Sequence, residues 1–144
     1  MHMKIKKIWI LTSAGRILFN MKLSDEGNLN QVIDDRVKSD CYVDKNNSDY
    51  PVKYISLGDT FLVFMFVPEY NLAFAGWGDS SLPEKQLIAV LRVLKSMLVV
   101  NFTDLFQDES TFFDFLSNSA MVMSSLIHGW LEILDAKWAS LQKS

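Results

Sequence analysis

Phe61-Leu-Val-Phe-Met-Phe-Val67, followed at once by Pro68, decides the fold. A strand with one wet face alternates apolar with polar residues. This run carries no polar residue, is too short for a buried helix, is rich in aromatic and β-branched side chains and is closed by proline. It reads as a strand covered on both faces, so the rest of the chain must supply two covers.

Next to it, Val52-Lys-Tyr-Ile-Ser-Leu57 alternates and Gly58-Asp59 turns, making the two segments a hairpin. Pro68-Glu-Tyr-Asn71 turns again into Leu72-Ala-Phe-Ala75, a third strand of the meander. Towards the N-terminus, Lys7 to Thr12 and Arg16 to Met21 are strands joined by Ser13-Ala-Gly15, with glycine where a tight turn needs positive φ. In the second of these, Ile17, Phe19 and Met21 alternate with Arg16, Asn20 and Lys22, the pattern of an edge strand with one wet face.

Between the two groups, Ser24 to Asn47 is polar, with a narrow helical stripe in Leu29, Val32, Ile33 and Val37. Asp25 and Glu26 near its start and Arg36 and Lys38 near its end suit the helix dipole. Asp44 to Asp49 reads as a loop. Ser81-Leu-Pro-Glu84 has the spacing of a capping box with proline in the first turn. The helix it opens runs to about Asn101, its apolar face made by Leu87, Ile88, Leu91, Leu94, Met97 and Leu98. A short helical piece over Ser110 to Leu116, a break near Ser117-Asn118 and a longer helix from about Ser119 to Ala139 complete the chain. The buried stripe of that last helix is expected at Val122, Leu126, Ile133 and Leu134. The order is ββαβββαα, an α/β chain of the α+β type. It predicts a five-stranded, mostly antiparallel sheet with one helix on one face and two or more on the other.

The 144 residues suffice for one domain, with a core expected from about residue 5 to 138, burying about two thirds of the unfolded surface without metal or disulfide. With 14 basic against 17 acidic residues the chain lacks the basic field that a phosphate backbone requires, so nucleic acid is not an expected partner. Cys41 is the only cysteine and has no internal partner, and no apolar run approaches the ~20 residues of a membrane span. A soluble, cytoplasmic protein without a secretory leader is expected, with Met1-His2-Met3 reading as an expression scar. Hydrophobic residues make up 49%, including 10 Phe, 7 Met and 4 Trp, which points to apolar surface reserved for an interface, with an unusually filled core as the alternative.

Catalytic signatures are thin. Gly76-Trp-Gly-Asp lacks the third glycine and the Gly-Lys-Ser/Thr of phosphate loops and reads as an ordinary turn into the helix. His2 and His128 are the only histidines, too few with one cysteine for a zinc site or a Cys-His pair; His128 reads as a packed or half-exposed helix residue. Asp34 and Asp35, adjacent on a helix, diverge by about 100° and read as a solvated face rather than a carboxylate pair. Cys41 has only Lys38 and Lys45 near it in sequence and reads as unreactive. Phe112, Phe113, Phe115, Trp130 and Trp138 read as core, with a partner-docking strip as the alternative.

The opening Ile8-Trp-Ile-Leu-Thr-Ser-Ala-Gly-Arg-Ile-Leu-Phe19 resembles the first hairpin of the longin domain superfamily. Leu11-Thr-Ser-Ala-Gly15, Asn101-Phe-Thr-Asp-Leu-Phe-Gln107 and Phe115-Leu-Ser-Asn-Ser119 look most like the first longin domain of the Mon, Ccz, Hermansky-Pudlak and Fuzzy group of Rab regulators. The fold-level likeness covers about residues 5 to 138. The chain differs from that group in ending after one such domain and in its short, polar first helix. The resemblance implies a non-catalytic interaction module of vesicle trafficking or small-GTPase regulation, at most a component of a guanine-nucleotide exchange factor. It implies pairing with another longin- or roadblock-type domain, as homo- or heterodimer, to form a platform for a Rab-like GTPase. Membrane association would be peripheral and through partners; no metal or cofactor is implied. The matching partner-binding positions are Leu29, Val32, Ile33, Arg36 and Val37 on the first helix and Val52, Tyr54 and Ile55 on the edge strand. Two alternatives stay open, a small subunit of a coat or adaptor complex and a profilin-like small-ligand sensor.

Overall fold

Thr60–Val67 is a strand in which every residue from Phe61 onward is buried. In the computed structural model, which describes residues 4–42, 51–102, 114, 117–118, 121–122, 124–125, 127–133, 136–137 and 140, it belongs to a five-stranded antiparallel sheet. The strands are β1 (Ile5–Thr12), β2 (Ile17–Lys22), β3 (Val52–Leu57), β4 (Thr60–Val67) and β5 (Leu72–Asp79), in spatial order β2-β1-β5-β4-β3. Alternation along β4 divides its side chains between two cores. Phe61, Val63, Met65 and Val67 join one cluster, and Leu62, Phe64 and Phe66 the other. Each such side chain removed from water contributes about 1.5–3 kcal/mol. The geometric centre of the sheet is β5, with β4 one place in from the β3 edge.

The helix α1 (Leu29–Asp40) follows β2, and α2 (Glu84–Phe102) follows β5. A third helical segment is seen in the described residues from 114 to 140. Ile33 and Val37 of α1 pack with Trp9, Leu11, Leu62, Phe64 and Trp77. Leu87, Leu91, Leu94 and Leu98 of α2, together with Ile127 and Leu131, pack with Ile8, Ile10, Phe61 and Val63.

The turns follow the residues that make them. Gly15 sits at φ 93° in the β1–β2 turn, where Thr12 N–H donates to Arg16 O at 2.9 Å. A Cβ there would also stand 2.7 Å from Lys38 O, so the approach of the end of α1 demands glycine a second time. Pro68–Tyr70 forms a 3₁₀ turn closed by Asn71 in the left-handed region. A bulge between Ile10 and Leu11 lets Leu18 as well as Phe19 and Met21 of β2 bury, while Asn20 and Lys22 stay exposed.

Several expectations change. Gly76 and Gly78 lie inside β5, not in a turn. Cβ atoms on them would meet Leu87 Cδ1 at 2.7 Å and Phe61 Cζ at 3.0 Å, so both glycines make room for packing. Ser117 and Asn118 are helical where a break was expected; neither is Gly or Pro, and weak helix formers alone do not stop a packed helix. Val122 and Ile133 are 64% and 60% exposed, and among the described residues of this segment Ile127 and Leu131 are the buried ones. The last helix is apolar on more than one side, and burial of Ile127 and Leu131 in the α2-side core sets its rotation. Leu126, Leu134, the Asp44–Asp49 loop, Phe112, Phe113, Phe115 and Trp138 lie outside the described residues.

Candidate functional site

The expected partner-binding residues sit on α1 and β3, and the fold gives them different roles. On α1, Leu29 and Val32 are 53% and 62% exposed, whereas Ile33 and Val37, one helical turn apart, are buried in the core. Arg36 is exposed and ion-paired with Asp40. The outward face of α1 thus offers Leu29, Val32 and Arg36, and the inward face is spent on holding the helix to the sheet.

That inward face is unusually polar. Lys7 on β1 is 2% exposed, and its Nζ lies 2.7 Å from Asp34 Oδ1. The same oxygen accepts from Trp9 Nε1 at 2.8 Å. The neighbouring Lys6, also buried, pairs with Glu26 Oε1 at 2.7 Å just ahead of α1. A register shift between Ile5 and Lys7 accompanies the burial of both adjacent lysines. Each ammonium stands near an indole ring, Lys6 at 5.6 Å from Trp77 and Lys7 at 5.4 Å from Trp9. Trp77 Nε1 and Asn30 Oδ1 are buried with no hydrogen-bond partner. Asp34 is therefore not part of a solvated face; Asp35, exposed and accepting from Gln31 Nε2 at 3.2 Å, is. Sequence reasoning missed this network. Its one signal was the Lys6-Lys7 pair at the head of an otherwise apolar strand, since a lysine on a covered strand needs a carboxylate opposite.

Among the described residues β3 is an edge strand, paired only with β4, in a register without irregularity. Its alternation splits the expected residues. Val52 packs with the α2-side cluster, and Tyr54, 47% exposed, stacks on Phe61 with ring centroids 5.4 Å apart. Ile55 packs with the α1-side cluster. Lys53 ties strand to helix: its Nζ donates to Asp40 O at 2.7 Å and stands 3.2 Å from the Tyr42 ring centroid. The structure thus brings α1 and the Ile55 side of β3 together, and sets Val52 and Tyr54 on the opposite face.

Cys41 closes α1. It is buried, with Sγ 3.6 Å from Thr12 O, and burial pushes its thiol up to about 11, with Lys53 pulling weakly the other way. A neutral thiol so placed acts as core. His128 is half exposed, with Nε2 3.3 Å from Glu132 Oε1. Among the described residues no group of three or more His, Cys, Asp or Glu side chains is arranged to hold a metal ion, and no helix is long and apolar enough to cross a membrane.

No protein-family model and no curated protein matches the chain.

Proposed function

We propose that this chain is a longin-like, non-catalytic interaction module that pairs with a second longin- or roadblock-type domain and presents a platform to a Rab-like small GTPase, as part of a nucleotide-exchange assembly in the cytoplasm. The observation that carries the proposal is the sheet order β2-β1-β5-β4-β3 with α1 packed into one core and α2 into the other. This supports the longin-like arrangement of one helix against one face and the remaining helices against the other. Exposed Leu29 and Val32 on α1 and the regular, open β3 edge with Tyr54 supply apolar and main-chain surface for a partner. Exchange activity in such an assembly comes from binding the nucleotide-free GTPase more tightly than the loaded one, so no covalent chemistry is required of this chain.

Light scattering after size exclusion and pull-down with a panel of longin-type domains and small GTPases test the proposal. A homodimer, or stoichiometric capture of such a domain, is expected, with Val32→Glu and Tyr54→Glu each weakening it at least tenfold while the fold is kept. A strict monomer that captures neither class of partner refutes it.

A further inference from the structure

A cleft of about 280 Å³ opens between α2 and the Val52–Met65 end of the β3–β4 hairpin. Its apolar floor is Pro51, Val52 and Met65, with Phe66 of β4 alongside, its side chain in the opposite core, and its wall is Arg92, Lys95 and Ser96 from α2. The spacing i, i+3, i+4 sets these three polar residues on one flank of the helix, beside the core-facing Leu91, Leu94 and Leu98. Lys95 Nζ is 3.8 Å from Glu69 Oε1, at the limit of an ion pair and not a hydrogen bond, and Arg92 has no acidic partner among the described residues. Two cations therefore converge on one small cleft in a chain whose formal net charge is −3. The volume is just under the ~300 Å³ at which pockets for drug-sized ligands begin, so the occupant is small.

We propose that this cleft binds a small organic anion, its carboxylate or phosphate held by Arg92 and Lys95 with Ser96 as a further donor, and its short alkyl or aryl part laid on Val52 and Met65. The site is on the α2 side of the sheet, across from the α1 face proposed for a protein partner, and meets that proposed surface only at Val52 of β3.

Calorimetric titration of the full chain with octanoate, octyl phosphate and inorganic phosphate tests this. At least one of the two amphiphilic anions is expected to bind with one-to-one saturation, and whichever binds more tightly identifies the head group. Inorganic phosphate is expected to bind at least tenfold more weakly. The double substitution Arg92→Gln/Lys95→Gln is expected to weaken the amphiphile at least tenfold, about 1.4 kcal/mol or more, and Lys85→Gln, an exposed cation elsewhere on α2, to leave it unchanged. No saturable binding by either amphiphile, equal binding by inorganic phosphate, or affinity untouched by the double substitution overturns the proposal.

Discussion

Asp34 and Asp35 differ by one position and by nearly everything else. Asp34 accepts from Lys7 and Trp9, both fully covered, while Asp35 faces water. Removing Asp34 strands a buried ammonium and a buried indole N–H, so Asp34→Ala is expected to cost about 3 kcal/mol in urea unfolding, and Asp35→Ala no more than about 0.5 kcal/mol. Equal small effects would mean that Lys7 finds water when its partner goes. Cys41 has a pH signature of its own. Its folded pKa lies near 11, above the ordinary 9.0, so its contribution to stability is complete below pH 9 and is lost as pH rises towards 11. The urea midpoint of the wild type is expected to fall more steeply than that of Cys41→Ala between pH 8.5 and 10.5. Parallel curves would show the thiolate to be accommodated in the fold.

At the scale of elements, the two outer helices are held differently. The apolar anchorage of α1 is two buried residues, Ile33 and Val37, supplemented by the ion pair of Asp34 with Lys7 and the strap from Lys53. Its hydrophobic pattern was legible in the sequence, but which two of the four stripe residues face inward was not. A stripe about 100° wide fits more than one rotation, and the lysines beneath decide it. The C-terminal helix shows the same ambiguity more strongly, with Ile127 and Leu131 inside and Val122 and Ile133 outside. Leu131→Ala is therefore expected to destabilise the protein by about 2–5 kcal/mol, and Val122→Lys by less than about 0.5 kcal/mol. The reverse ranking in thermal unfolding would place the helix in another rotation. For β3, the period-2 pattern of Val52 to Leu57 was legible, but its consequence, that Val52 and Tyr54 lie across the sheet from Ile55, follows only from which face each core occupies.

For the whole molecule, β1, β4 and β5 contribute side chains to both clusters, so neither core can be lost without the sheet. Unfolding is expected to be a single cooperative transition. Tryptophan fluorescence, which samples Trp9 and Trp77 in one cluster and Trp130 against the other, should coincide in urea with far-ultraviolet circular dichroism. Separated midpoints would show that one layer melts before the other. The outward α1 face and the cationic cleft beside α2 lie on opposite sides of the sheet, whereas the β3 edge belongs to both surfaces through Val52, so substitutions on α1 are expected to leave the cleft intact.

The sequence alone determined the existence of five strands, the turns at Gly15 and at Pro68–Asn71 and the need for two covers, because an unbroken apolar run closed by proline has few structural solutions and Gly15 and Asn71 sit where the backbone turns left-handed. Tertiary structure alone decided the strand order, the rotation of the last helix, the packing role of Gly76 and Gly78, and the burial of Lys6 and Lys7 against Glu26 and Asp34. Those depend on which surfaces meet across stretches of chain longer than any local pattern, 20 residues for Lys6 and Glu26 and 25 for Trp9 and Asp34, and local pattern carries no record of that meeting.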